Sequence, residues 1–186
     1  MKVLIAASDR SELKAFGDKW DKVVTGVGPI ISAAAVSKAV AEYGSDIVIS
    51  VGSAGSCGSL EIGDVVSFGS VVSGDQDLTL YHLPPGATLG ARRETIGSIS
   101  LDPSSSLVLI SSAAFAAERP VLRADAADME AYGTALASTL YNIPCRAVKA
   151  ITDMIGEKIT IADYSAMLRK IRSLIPEKVE ELLSGL

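Results

Sequence analysis

The chain of 186 residues has few cysteines, a single histidine and no long apolar run. Cys57 and Cys145 are too few for a disulfide scaffold, which predicts two reduced thiols in a cytoplasmic protein. No Cys and His residues have the spacing of a zinc site, so we expect neither a metal nor another cofactor. No apolar stretch is long enough to span a bilayer, and the run after Met1 stops at Ser8, too early for a secretory signal. We therefore expect no membrane partner.

Basic residues are also scarce. Lys and Arg number 17 against 22 Asp and Glu, for a formal net charge of -5. Proteins that bind nucleic acid normally present a basic face, and no segment here clusters Lys and Arg with aromatic residues. We therefore expect no nucleic-acid partner. With 48% hydrophobic and 21% charged residues, the composition is globular, and the length predicts one domain over residues 1–186.

Short apolar runs alternate with helical segments along the chain. This alternation predicts an α/β domain whose central twisted sheet is mixed, mostly parallel, and covered by helices on both faces. Strands are predicted over residues 2–7, 23–25, 46–51, 63–66, 68–72, 107–111 and 145–151. Helices are predicted over residues 11–19, 30–43, 125–141 and 160–186, the last broken or kinked at Pro176, and a long loop is predicted over 81–106.

Polar segments follow several of the predicted strands, at residues 8–12, 52–58, 111–115 and 152–153. In open parallel sheets, ligands bind beyond the carboxyl ends of the strands, so these segments are the candidate site. The segment that begins at Gly52 is expected to form a loop whose glycines let the backbone approach a ligand. It lacks the spacing of a phosphate-binding Walker loop or a dinucleotide-binding loop.

Two acidic positions are candidates for chemistry. Glu130, near the start of the predicted helix 125–141, has two acceptor oxygens that suit a vicinal diol such as that of ribose, with Met129 as an apolar contact. The alternative is that Asp128 and Glu130 have no functional role and are present because the helix dipole favours carboxylates in the first turn of a helix. Asp153 ends a buried apolar strand, where a charge is costly unless it is used or paired. It could equally be the N-cap of a following helix, and the residues alone leave both alternatives open.

Four segments in register carry a resemblance to a known family: Val51–Gly58 (VGSAGSCG), Leu60–Val66 (LEIGDVV), Ala127–Ala131 (ADMEA) and Val148–Asp153 (VKAITD). In order and spacing they resemble the superfamily of purine nucleoside phosphorylases and methylthioadenosine nucleosidases, over nearly the whole chain. The resemblance implies the nucleoside phosphorylase-like α/β fold and a small-molecule purine nucleoside as partner. It also implies a homodimer or larger homo-oligomer.

The resemblance also implies residue roles. Glu12 and Ser53 match the groups that position an attacking water, and Asp153 matches the acid that protonates or hydrogen-bonds N7 of the leaving purine. The remaining matches are substrate-binding positions, with Phe115 stacking on the base and Met129 and Glu130 holding the ribose: Phe115, Ala114, Ala116, Met129, Glu130, Thr152 and Gly55. Asp153 is then expected to hold a proton near neutral pH while Glu12 stays ionised, since cleavage builds negative charge on the base.

The superfamily contains both phosphorylases and hydrolases. Ser50 and Val51 stand where phosphorylases of the bacterial hexameric type have an arginine that holds phosphate, which favours water as the nucleophile. The resemblance therefore implies a nucleosidase of purine or methionine salvage that hydrolyses methylthioadenosine or adenosylhomocysteine. A futalosine hydrolase, a phosphorylase and a non-catalytic nucleoside-binding homologue are the alternatives. The chain departs from the family in a shortened segment before Val23, a trimmed segment 81–106 and Ala113 at a position that is usually acidic.

Overall fold

The computed structural model describes all residues from 1 to 186 and contains both α-helices and β-strands. Its helices are α1 (Arg10–Leu13), α2 (Pro29–Tyr43), α3 (Ala131–Leu140), α4 (Ile161–Ile171) and α5 (Leu174–Ser184). Its strands are β1 (Val3–Ala7), β2 (Asp21–Val24), β3 (Ile47–Ser56), β4 (Val65–Ser67), β5 (Ser70–Ser73), β6 (Thr88–Leu89), β7 (Thr95–Ile96), β8 (Ile99–Ser100), β9 (Val108–Ser111), β10 (Ala126–Asp128) and β11 (Cys145–Met154).

Nine of these strands form one sheet in the order β2-β1-β3-β10-β9-β5-β8, and β11 lies on β3 and also pairs with β4. The pairs β1–β2, β1–β3, β3–β11, β9–β10 and β5–β9 are parallel. The pairs β3–β10, β4–β11 and β5–β8 are antiparallel. The predicted fold class, an α/β domain with a mixed and mostly parallel sheet, is confirmed.

The core lies on both faces of this sheet, because successive strand residues point to opposite faces. Leu4 and Val48 belong to a cluster of 19 buried residues that includes Val36 of α2 and Ala135 of α3. Their neighbours Ile5 and Ile49 belong to a second cluster of 13 buried residues that includes Ile175 and Val179 of α5. Helices therefore cover both faces. None of them combines the length and the apolar character needed to cross a membrane.

Two predicted boundaries near the amino terminus are wrong. The helix predicted over 11–19 is the single turn α1, followed by turns up to Asp18, with the buried Leu13 and Phe16 packing into the core. Gly17 and Asp18 are poor helix formers, which explains the early end. The predicted glycine loop after Val51 is also wrong, because β3 continues through Ser56. Hydrogen bonding to β11 along its whole length holds this glycine-rich stretch extended.

The helix predicted over 125–141 is wrong in its first part. Residues 126–128 form β10, which pairs with both β3 and β9, and α3 begins only at Ala131. Alanine-rich sequence favours a helix locally, but the pairing of these backbone groups within the sheet overrides that preference. Asp128, Met129 and Glu130 therefore lie where a strand ends and a helix begins, not on the helix itself.

The carboxyl-terminal prediction also needs correction. Two helices, α4 and α5, replace the predicted single kinked helix. The helical conformation is interrupted between Ile171 and Leu174 and not at Pro176. Pro176 lies in the first turn of α5, where the missing N–H costs no hydrogen bond. The predicted loop 81–106 holds the short β6–β7 pair and β8. Residues 14–20 before β2 contain no strand, as expected from the shortened sequence.

Candidate active site

The central strand pair β3–β11 carries the start of the site. The parallel register runs from Cys145 opposite Val48 to Ile151 opposite Ala54, and then shifts so that Asp153 lies opposite Gly55. Thr152 is the extra residue of this bulge. β-Bulges re-aim side chains and are common beside functional sites. Here the bulge presents Thr152 and Asp153 next to Ser53 and Gly55.

A cavity opens beside this bulge, where the segments after β1 and β10 and the loop after β9 converge on β3. Its lining is rich in oxygen-bearing side chains and contains no lysine or arginine. The lining residues are Ser8, Val27, Ser53, Ala54, Gly55, Phe115, Ala116, Ala127, Asp128, Met129, Glu130, Thr152, Asp153, Ile155 and Tyr164.

Glu12 lies directly behind the Ser8 wall of the cavity. Asp9 caps α1 and Glu12 completes the capping box, so the side chain is held at 3% exposure. Its Oε2 accepts hydrogen bonds from the Ser8 hydroxyl (2.8 Å) and the Asp9 backbone N–H (3.3 Å). Gly52 permits this placement, because a Cβ there would lie 2.8 Å from Glu12 Oε1, and because its φ of +141° disfavours other residues. Glu12 therefore sits against the backbone next to Ser53.

Asp153 is buried in the lining of the cavity, with 6% exposure. The Thr152 hydroxyl donates to its Oδ1 at 2.7 Å. A Cβ on Gly55 would lie 2.9 Å from its Oδ2, so this glycine leaves room for the carboxylate. Asp153 is not a helix N-cap, because it lies within β11 and Thr160 caps α4. Of the two alternatives that the sequence left open, the capping role is thus excluded.

A buried ion pair lies beneath the cavity. Lys149 Nζ is 2.8 Å from Asp128 Oδ2, with side-chain exposures of 1% and 0%. The Ser111 hydroxyl and the Ala131 backbone N–H also donate to Asp128, whereas the Lys149 ammonium has no other protein acceptor. Burial alone would lower the pKa of Lys149. The negative charges of Asp128, Glu130 and Glu12 outweigh it, so the pKa of Lys149 lies above its ordinary value.

Glu130 joins the cavity to α2 and α3. Its Oε1 accepts the Gly28 backbone N–H at 3.2 Å, and its own carbonyl accepts the Ser32 hydroxyl at 3.1 Å. Burial raises the pKa of the Glu130 carboxyl to about 7, although the charge of Lys149 partly opposes this rise. Glu130 occupies the N-cap position of α3 without a side-chain capping bond. Capping therefore does not account for this residue.

Ser53 has a partner that the sequence did not suggest. Its hydroxyl lies 2.7 Å from the Tyr164 hydroxyl, and either oxygen can donate the hydrogen bond. Tyr164 lies in the first turn of α4, which the capping box of Thr160 and Asp163 holds in place. Burial raises the pKa of the Tyr164 phenol above its ordinary value, so the group stays protonated across the neutral range.

The structure brings most of the predicted site residues together. Glu12 lies behind the cavity wall, and Ala114 is exposed outside the cavity. Phe115 lines the opening but is 59% exposed, so nothing covers its ring. The residues that line the cavity as expected are Ser53, Gly55, Phe115, Ala116, Met129, Glu130, Thr152 and Asp153.

Two polar side chains in and beneath the site were missed, Lys149 and Tyr164. Lys149 stands inside the apolar run of β11, and a lysine flanked by buried residues is a signal of pairing that the sequence offered. Tyr164 gave no such signal, because half-buried tyrosines are ordinary in amphipathic helices.

The arrangement separates two carboxyl groups with different surroundings. Asp153 lies at the bulge and Glu130 near Gly28, with Ser53 and Tyr164 on the wall between strand and helix. Such a cavity can bind a small polar molecule through hydrogen bonds and move protons at two points. No three His, Cys, Asp or Glu side chains are grouped so as to hold a metal ion.

Fold and site thus define an α/β protein with an acidic small-molecule cavity beside its central strands. The sequence pattern of the phosphorylase superfamily matches residues 22–184. The chain therefore belongs to the phosphorylase superfamily. Curated protein sequences contain no match.

Solved structures share this fold over the full chain. A mutant futalosine hydrolase of Helicobacter pylori superposes with a TM-score of 0.86 and 17% identity, covering 100% of both chains. An S-adenosylhomocysteine nucleosidase from Streptococcus pyogenes, in complex with 5-methylthiotubericidin, gives 0.85 and 20% identity over 100% of this chain and 97% of the other. The Helicobacter pylori 5'-methylthioadenosine/S-adenosyl homocysteine nucleosidase gives 0.85 and 17% identity, covering 100% and 99%. At these identities the likeness is one of fold.

Proposed function

We propose that this protein is a purine nucleosidase that hydrolyses the N-glycosidic bond of a 5'-modified adenosine of the methylthioadenosine or adenosylhomocysteine type. One observation carries the proposal: three acidic residues, Asp128, Glu130 and Asp153, are among those that line the cavity, and no cation is. A phosphate dianion needs arginine or lysine partners. Lys149, which lies beneath the cavity, is buried and engaged by Asp128. Water is therefore the nucleophile that suits this site.

The proposed reaction divides between the two ends of the cavity. Met129 and Glu130 hold the ribose, with the Glu130 carboxylate accepting from the 2'- and 3'-hydroxyls. Asp153 donates a proton to N7 of the purine while the bond between C1' and N9 breaks. The oxygen of water bonds to C1', and its proton passes to Glu12. Proton donation of this kind accelerates a reaction by about a hundred- to ten-thousand-fold.

The base would lie between Asp153 and the exposed face of Phe115. Stacking on a purine would cover the ring, which is otherwise open to solvent. Ala116 and Ile155 complete the apolar surface at this end. The individual roles of Asp153 and of the other site residues remain predictions.

The test is an incubation of the protein with methylthioadenosine, adenosylhomocysteine or futalosine, with and without phosphate, followed by chromatography of the free base. We expect base release that does not depend on phosphate. Release only in its presence would establish a phosphorylase, and no release from any nucleoside would support a non-catalytic homologue. The variant Asp153→Asn should lose at least a hundredfold in kcat. Full activity in that variant would overturn the acid role.

Futalosine is the second candidate substrate. The fold likeness to futalosine hydrolase is as strong as that to the nucleosidases, and the residues at the bulge do not distinguish the substrates. The same assay decides between them by the ratio of kcat/KM values.

The proposal includes a homodimer in the cytoplasm. Exposed apolar side chains near the cavity mouth, Val27 (63%) and Phe115 (59%), together with Ile30 (85%) in the first turn of α2, support an interface. The molar mass of the purified protein, measured by light scattering, tests whether it is a homodimer.

A further inference from the structure

Tyr164 makes a contact to which the proposed reaction assigns no role. Its hydroxyl lies 2.7 Å from the hydroxyl of Ser53 on the cavity wall. The segment from Asp153 to α4 folds back so that one strand–loop–helix unit supplies both the buried acid and this phenol. The capping box at Thr160 and Asp163 holds the first turn of α4, and Tyr164 donates its backbone N–H to the Thr160 carbonyl at 3.0 Å. The phenol is therefore presented from an ordered helix end.

The chemistry of the two hydroxyls is complementary. A serine hydroxyl has one proton and rotates freely, so a single fixed neighbour decides where that proton points. When the Tyr164 phenol donates to Ser53 Oγ, the serine proton is free to point towards a third oxygen. Acidic side chains are among the hydrogen-bonding groups of this cavity, and no cation lines it. A neutral donor is the group that can direct a hydroxyl here without attracting an anion.

We propose that Tyr164 is a positioning residue that orients the Ser53 hydroxyl, so that Ser53 holds the attacking water in line with the glycosidic bond. The inference rests on the proposed hydrolysis. In that reaction the water oxygen forms the new bond to C1', the C1'–N9 bond breaks, Asp153 supplies the proton to the base and Glu12 receives the proton of water. Tyr164 exchanges no proton with the substrate. It acts through Ser53 and occupies the space beside the Ser53 hydroxyl.

Kinetics of the full-length protein test this role by a double-mutant cycle. We expect Tyr164→Phe to lower kcat about tenfold, the effect of losing one hydrogen bond in the transition state, with KM changed less than about twofold. Ser53→Ala should lower kcat at least as much. The double variant should be no slower than Ser53→Ala, because the phenol has no target once the serine hydroxyl is gone. Effects that multiply would overturn the inference.

A second readout separates positioning from a structural role. In water containing methanol, hydrolysis and methanolysis compete for the same C1' carbon, giving free sugar or its methyl riboside. Removing the phenol oxygen leaves room beside Ser53, so Tyr164→Phe should raise the proportion of methyl riboside several-fold. An unchanged product ratio in an active variant would contradict the proposal, and so would a kcat that is unchanged or increased.

Tyr132→Phe is the matched control, because the Tyr132 hydroxyl is buried without a hydrogen-bond partner and lies outside the cavity. It should leave kcat and the product ratio unchanged. An inactive wild-type protein would overturn the proposed hydrolysis together with this inference. An active wild type with an unaffected Tyr164→Phe variant would overturn the role of Tyr164 alone.

Discussion

The buried pair of Lys149 and Asp128 makes a quantitative prediction about stability. In Lys149→Met the apolar stem keeps its packing, but Asp128 loses its counter-charge while remaining fully buried. At an effective dielectric constant of about 20, unit charges 2.8 Å apart attract by about 6 kcal/mol. Desolvation offsets part of this attraction, and removing one partner of a buried pair usually costs about 3–5 kcal/mol. We expect the free energy of unfolding to fall by that amount at pH 7.

Urea denaturation of four proteins measures the effect: wild type, Lys149→Met, Asp128→Asn and the double variant. Each single variant leaves one buried charge without its partner, whereas the double variant removes both charges of the pair. The double variant should therefore recover at least half of the summed losses. Lys178→Met is the control, because Lys178 and Glu181 are 2.9 Å apart on the surface. Its cost should stay within about 1 kcal/mol.

The dependence on pH sharpens the experiment. Glu130 takes up a proton more readily once Lys149 is gone, so the deficit of Lys149→Met relative to wild type should shrink between pH 7 and pH 5. Because the charge of Lys149 holds the pKa of Glu130 down, this pKa should also rise above about 7 in the variant. A loss below 1 kcal/mol at pH 7, or strictly additive losses, would refute the view that this pair is a coupled buried charge.

Three further predictions concern the site. Burial raises the pKa of Glu130 from 4.5 to about 7, so the free energy of unfolding falls by about 3 kcal/mol as the pH rises through that interval. Glu130→Gln lacks this loss and should be more stable than wild type at pH 8 but not at pH 4. Equal denaturation midpoints of the two proteins at both pH values would contradict this. If ribose binds the ionised form of Glu130, kcat/KM should fall up to about tenfold per pH unit below pH 7. Initial rates of wild type and Glu130→Gln across this pH range would show whether the fall is due to protonation of Glu130. Gly55→Ala puts a Cβ 2.9 Å from Asp153 Oδ2. The activation free energy derived from kcat should therefore change by more than the free energy of unfolding. A crystal structure of the variant with Asp153 unmoved would count against the steric argument.

The amino-acid sequence was sufficient for the fold and for most of the cavity. Apolar runs mark most of the strands, and most of the candidate residues converge on one cavity, although Ser53 and Asp153 lie within β3 and β11 and not beyond their ends. Two features escaped because they depend on distant pairing. Ala126–Asp128 has helical composition and becomes a strand only through its bonds to β3 and β9. The bulge at Thr152 exists only in the register of β11 against β3.

Charge pairing was the other limit. Lys149 and Asp128 are 21 positions apart, and neither has a neighbour in sequence that reveals the other. Tyr164 meets Ser53 across 111 positions. Contacts of this kind follow from the way β11 and α4 fold onto the sheet, which short-range patterns do not encode.

The cavity wall is built partly from central strands and partly from connecting segments, and these two parts differ in how well they tolerate substitutions. Ser53, Gly55, Thr152 and Asp153 lie on adjacent central strands whose every shift would disturb the core. Phe115 lies on a connecting loop, and Val27 on the short link between β2 and α2. In the proposed function, the residues that carry the reaction are thus tied to global stability, whereas those that would contact the base and the 5' group are not. Directed evolution that randomises only these connecting segments should therefore change the nucleoside accepted without lowering the melting temperature, and homologues should diverge there first.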